Sequence, residues 1–182
     1  MGVLDELERM TREPMRSDDD VYTAIPEPGL GAATIDAIEL RIGAPLPADL
    51  RTLLGACHGI RGLEWEIDFT GSLSFEMDHV FPHGLPILGD HAGNFWVVDC
   101  TATPESEAAI FFACHDPPVM LWQCRGMATV LRELRRKFGS PATARRASSP
   151  ARRPSGGRAS FPGCSVGDRC SCTTSRTSSG TA

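Results

Sequence analysis

Five histidines, seven cysteines and a scatter of carboxylates are the side chains of this 182-residue chain with the means to do chemistry. A metal site would have to be assembled from His79, His83, His91 and His115 with Asp90, Asp99 and Asp116. Their spacing does not favour one. His79 and His83 lie four apart, as helical ligands would, but Pro82 between them disfavours that helix, and no H-E-x-x-H occurs. These histidines are read as exposed or hydrogen-bonded side chains, so neither a metal nor a cofactor is expected. Cys57, Cys100, Cys114 and Cys124 read as small apolar fillers, and with Cys164, Cys170 and Cys172 they form no C-x-x-C. A dyad of Cys114 with His115 fails on geometry, because neighbours along a strand point to opposite faces. Neither G-x-S-x-G nor a Walker-type phosphate loop is present. Gly89-Asp90-His91-Ala92-Gly93 is better explained as a turn that needs positive φ at Gly93, with Asp90 and Asn94 bonding local backbone.

The elements that would position these residues follow from periodicity. Val3, Leu4, Leu7 and Met10 recur at helical spacing and predict a first helix over 3–12. Asp18-Asp19-Asp20 with Pro26 and Pro28 predict a loop. A second helix fits 34–42, capped by Thr34, with Ile35, Ile38 and Ile42 on one stripe. Pro47 opens a third helix whose positive end Asp49 complements. Leu50, Leu53, Leu54 and Cys57 line its apolar face, and Gly59 ends it. The period then changes to two. Leu63, Trp65, Ile67 and Phe69 alternate with Glu64, Glu66, Asp68 and Thr70, which describes a strand with one buried and one acidic, wet face. Leu73, Phe75 and Met77 repeat the pattern. Segments 85–89 and 95–99 flank a turn-rich link and predict a hairpin. Segments 109–114 and 119–122 predict two further strands around His115-Asp116-Pro117-Pro118. A last helix runs from about 126 to 138. Trp65, Trp96 and Trp122 are all expected in the core, the alternative being an aromatic anchor in the partner site. The fold class is α+β: a central antiparallel, meandering sheet packed with N- and C-terminal helices.

Charge divides the chain. Residues 1–138 carry 11 basic and 22 acidic side chains, a net of −11, whereas residues 139–182 carry 7 and 1, a net of +6. An acidic body argues against a nucleic-acid partner and in favour of a basic one. From Gly139 onward there is no Leu, Ile or Met, so the segment is expected to be a disordered basic tail. Its Arg/Ser/Pro/Ala/Gly bias, beginning abruptly after a regular helix, is what a shifted reading frame in GC-rich DNA yields. The expected organisation is an N-terminal helix and acidic linker over 1–24, a domain over 25–138 and the tail over 139–182. The acidic N-terminus reads as no secretory signal, and no apolar run suffices to span a bilayer, which makes the cytoplasm the expected location.

The motifs Leu46-Pro47-Ala48-Asp49-Leu50-Arg51, Cys57-His58-Gly59, Leu85-Pro86-Ile87-Leu88-Gly89-Asp90 … Gly93-Asn94-Phe95-Trp96-Val97-Val98-Asp99 and Cys114-His115-Asp116-Pro117-Pro118-Val119 stand here in one order. In that order, over roughly residues 25–137, the chain resembles the SUKH superfamily, which includes the fungal cell-wall-assembly regulators of the Smi/Knr type and many bacterial immunity proteins. The sequence departs from the family in having His58 where asparagine is common, and in its tail. The resemblance implies a non-enzymatic protein-binding domain, most directly an immunity protein neutralising a polymorphic toxin of nuclease or deaminase type. A regulatory scaffold and a metal-dependent hydrolase are the rival classes. Glu64, Glu66 and Asp68 are the first candidates for contact with a basic toxin domain, and Asp90, Asn94, His115 and Asp116 are candidates for the rim of that interface.

Overall fold

The computed structural model describes residues 2–17, 20–74, 79–101 and 106–139. Helix α1 (Val3–Arg12) buries Val3, Met10 and, on the same stripe, the carboxylate of Glu6. The expected loop after it instead holds three short strands, β1 (Met15–Ser17), β2 (Asp20–Tyr22) and β3 (Ile25–Pro28). Tertiary docking supplies what the local sequence does not signal. Met15 and Ala24 are buried, and Tyr22 meets Phe138 edge-on at 5.7 Å. The prolines of β3 are tolerated because this strand pairs on one side alone. Asp18 and Asp19 lie outside the described residues.

Helix α2 (Ala32–Ile42) starts before Thr34, which is therefore not its cap. Gly31 holds that position, its carbonyl accepting from the N–H groups of Thr34 and Ile35 at 3.0 and 3.2 Å. Two alanines extend the helix backwards. Helix α3 (Ala48–Ala56) buries Leu50, Leu53 and Leu54, then stops short of Cys57 and Gly59. Both belong to β4 (Cys57–Arg61), where pairing with β3 and the next strand claims the backbone. Gly59 does not end a helix; a Cβ there would lie 2.9 Å from the Ile67 carbonyl oxygen and 2.8 Å from the Glu27 carboxylate.

The alternation over 63–69 is real in burial, with Trp65, Ile67 and Phe69 buried and Glu64 and Glu66 exposed, yet only β5 (Glu66–Asp68) joins the ladder. The strand expected around Leu73 is absent at Leu73 itself, and Phe75 and Met77 lie outside the described residues. The chain turns away at Gly71, φ 71°, and the Asp68 carboxylate holds that turn by accepting from the Thr70 N–H and hydroxyl at 2.7 and 2.6 Å. Strands β6 (Gly84–Gly89), β7 (Phe95–Asp99), β8 (Ala109–His115) and β9 (Pro118–Arg125) and helix α4 (Met127–Gly139) fall where periodicity put them, β9 running longer than expected.

Strands β3 to β9 form one seven-stranded sheet in sequence order, every neighbouring pair antiparallel. The chain is α+β with a meandering sheet, as expected. Buried residues of all four helices pack with Trp65, Leu85, Ile87, Trp96, Val98 and Ile110 into one core. Inside it Trp65 and Trp96 stack at 4.7 Å, and Phe138 meets Trp65 edge-on at 5.6 Å. Val97 and Ala113, which alternate with core residues along their strands, form a small second cluster with Phe81, Phe95 and Met120 that contains no helical residue.

One carboxylate joins these layers. Asp49, in the first turn of α3, accepts from the N–H of Leu50 at 2.9 Å, of Ala108 at 3.0 Å and of Met127 at 2.6 Å. It thus lies at the positive ends of α3 and α4 and also anchors the residue that leads into β8. The rest of the motif serves the same corner. The Leu46 N–H donates to Glu39 at 3.0 Å, and Arg51 pairs with Asp36 and Glu39 of α2 at 2.6 and 2.7 Å. Asp49→Ala is expected to lower the urea midpoint with an unchanged slope, a loss of about 2–4 kcal/mol for three stranded amide donors. Asp49→Asn, which keeps one acceptor oxygen, should lose less. An unchanged midpoint in the alanine variant would contradict this role.

Candidate protein-binding surface

An antiparallel meander returns every second connection to the same end of its sheet, and here this gathers most of the expected contact residues. Glu66 opens β5 and sits opposite Gly89, the last residue of β6; Gly89 faces Phe95, the first of β7; and Phe95 faces Ala113 near the end of β8. Glu64 and Glu66, the 90–94 turn and the 115–118 turn therefore lie in a row along one end of four adjacent strand pairs. The row is closely packed. A Cβ on Gly93 would lie 2.8 Å from His115 Nδ1, so the imidazole rests against that glycine and joins the two turns. Glu64, Glu66, His91, His115 and Asp116 are exposed, and Asp90 and Asn94 are half-buried.

The 90–94 turn is held from within, as its residue types imply. Asp90 accepts from the backbone N–H of Ala92 and Asn94 at 2.9 and 3.1 Å and from Asn94 Nδ2 at 2.9 Å. Gly93 has the expected positive φ, 82°, and His91 shares it at 59°, which its residue type did not signal. Asp90 is thus a positioning carboxylate whose charge still faces the row. Asp68 stands apart: it ends β5 at the other end, opposite Gly59, with its oxygens engaged by Thr70 and Ser72. Glu76 and Asp78, which would extend the acidic face, lie outside the described residues.

Behind the row the backing is packed aromatic core. Trp65, between Glu64 and Glu66, is clamped by Trp96 on one side and carries the Lys137 ammonium 4.0 Å from its ring centroid. Two clusters escaped the sequence reading because their members are distant in the chain. Glu27 of β3 pairs with His58 and Arg61 of β4 at 3.2 and 2.9 Å, and buried Glu6 faces Arg132 and Arg135 of α4 at 3.3 and 3.9 Å. Trp122 corrects an expectation: it is 58% exposed and not a core residue, because β9 is the last strand of the sheet and, among the described residues, Trp122 lies on the face of Phe111 and Val97, whose cluster holds no helical residue. Among the described residues, no three His, Cys, Asp or Glu side chains gather in a way that could hold a metal ion, and no helix is long and apolar enough to cross a membrane.

A family model described as the SMI1 / KNR4 family (SUKH-1) matches residues 29–133, more than half of the chain. The chain belongs to the SMI1/KNR4 family. Comparison with curated proteins and with solved structures yields no match. The span common to SMI1/KNR4 proteins runs from just before α2 into α4, so it holds the Asp49 junction, strands β4 to β9 and the whole acidic row. Membership supports a non-enzymatic immunity or regulatory domain at the level of the family, and protein–protein interaction as its mode of action.

In this SMI1/KNR4 domain Cys57 and Cys100 belong to the core and half-buried Cys124 packs against it. Burial pushes the Cys100 thiol up from 9.0 to about 12, helped by Asp99 and Glu39, and Cys124 up to about 11, helped by Glu133. Burial raises Cys57 as well, against hydrogen bonds that lower it. Raised folded-state values favour the protonated native state. That contribution is complete below about 9 and is lost as pH climbs through 11 to 12, so alkaline titration should destabilise the fold across this window. Alkylation of the native protein near pH ~8, mapped by mass spectrometry, should modify half-buried Cys114 well before Cys57 and Cys100. Equal rates at Cys100 and Cys114 would contradict this burial.

Proposed function

We propose that this SMI1/KNR4-family chain is an immunity protein that neutralises a basic toxin domain, of the nuclease or deaminase class, by docking the acidic end of its sheet onto the toxin. The observation that carries this reading is the row formed by Glu64, Glu66, the Asp90–Asn94 turn and the His115–Asp116 turn, set on a body of net charge −11. A toxin that acts on nucleic acid presents a basic surface, and a carboxylate row imitates the charge of its substrate. Such complementarity raises the rate of encounter and fixes orientation. Glu64 and Glu66 stand at the β5 end of the row, exposed on a segment whose alternate residues Trp65 and Ile67 are buried in the core. Asp90, Asn94, His115 and Asp116 form the rim, and Asp68 adds charge from the far end of β5. The inhibitor works in the cytoplasm, where it meets the toxin before any substrate does, and it needs no cofactor.

The test is co-expression with the product of a toxin-like gene adjacent to this one. The two proteins should co-purify. Glu64→Lys combined with Glu66→Lys should weaken binding by about tenfold or more at low ionic strength, about 1.4 kcal/mol, chiefly through the association rate, and the deficit should shrink as salt is raised. Unchanged affinity together with an unchanged salt dependence would remove the row from the mechanism.

A further inference from the structure

The two edges of the sheet are built differently. Edge strand β3 is guarded: Pro26 and Pro28 remove amide donors, its register with β4 shifts between them, and Glu27 places a charge there. These are the devices by which sheets avoid joining edge to edge. Edge strand β9 carries such guards at its ends, Pro118 and a register shift after Trp122, but none over Val119–Trp122 between them. From Pro118 to Cys124 it carries no charge, it pairs with β8 in unbroken register from Pro118 to Trp122, and no described residue pairs with its outer side. Val119, Leu121 and Trp122 are 38, 45 and 58% exposed on it. Leu121 shares a face with Val119, and Trp122 shares the other with Met120, so both faces of this edge are apolar. An exposed run of this kind on the edge of a sheet is a template for a further strand.

Charge decides which strand. A body of net −11 repels its own copies over most of its surface, but β9 is a neutral strip on it. The ends of the strip are complementary: exposed Asp116 precedes it and exposed Arg125 closes it. An antiparallel pairing of β9 with β9 of a second copy brings the Asp116 end of each beside the Arg125 end of the other, twice by symmetry. It also places Val119 and Leu121 against their counterparts on one face, and Met120 and Trp122 on the other. We infer that β9 is a homodimer interface, through which two copies join their sheets about a two-fold axis. The inference does not rest on the immunity reading, although Asp116 belongs both to this edge and to the rim proposed there, so its variants are read by sedimentation alone. Glu64 and Glu66 stand with β5, four strands from this edge, and remain open in both copies.

The experiment is sedimentation of the full chain over a concentration series. A monomer–dimer equilibrium is expected. Leu121→Lys, which puts a charge on each strand at the contact, should weaken the dimer by at least about tenfold while leaving the thermal unfolding midpoint of the monomer intact. Asp116→Arg should weaken it because two like-charged pairs replace two opposite ones, and adding Arg125→Asp should restore it. That rescue is specific to antiparallel pairing of β9 with itself. A monomer at every concentration overturns the inference, as does a dimer that neither Leu121→Lys nor Asp116→Arg affects.

Discussion

The side chain on which the arrangement turns is the carboxylate of Asp49. A helix start exposes amide donors with no partner inside the helix, and two helices starting at one buried corner would leave several such donors unmet. Asp49 meets that need at α3 and α4 together and also takes the N–H of Ala108, which fixes where β8 begins. Its negative charge lies where both helix dipoles are positive, so the group is stabilised where it is needed. Around it, Leu46 and Leu50 fill the core, Pro47 sets the direction of approach to α3, and Arg51 ties α3 to α2. The motif that first suggested the family is therefore explained by its structural work: it is the corner from which the helical layer is hung on the sheet.

Once that corner is fixed, the place of the acidic row follows from topology. With the helices on one side and a sequential antiparallel sheet beneath, the β6–β7 and β8–β9 turns and the start of β5 must share one end of the sheet. The contact residues proposed here, Asp68 excepted, come together through strand register. The surface is preorganised, since Trp65 is held between Trp96 and Lys137, and Asp90 spends its oxygens on its own turn. A rigid recognition surface keeps the entropic cost of association low.

Much of this was legible in the sequence where local pattern and tertiary environment agree. The alternation around Trp65, the β6–β7 hairpin with its glycine at positive φ, and the stripes of α3 and α4 all reflect burial that each segment could signal alone; on α1, Val3 and Met10 are buried as expected, but Leu4 is 44% exposed and Glu6 is buried. Reading failed where a distant segment decides. The strands β1 to β3 carry two prolines and acidic residues and exist because their neighbours accept them. Cys57 continues the apolar period of α3, yet it is the first residue of a strand because it pairs with Pro28 of β3. Trp122 looks like a core residue until the strand order leaves it on an edge. The pairing of Glu6 with Arg132 and Arg135 spans most of the domain and has no local signature. Among the contact candidates, residue type was enough to mark Glu64, Glu66 and the turns, and the fold supplied their proximity. Asp68 was marked by the same alternation, but the turn that follows it engages its oxygens.

The central claim, that recognition uses the end of the sheet bearing Glu64, Glu66 and the two turns, is tested most directly by amide hydrogen exchange on the chain alone and in complex with its captured partner. Protection is predicted to rise in peptides covering 63–69, 90–95 and 114–118 while α1 and α2 exchange as before. Protection gained on α1 and α2, with the turns unchanged, would contradict the account.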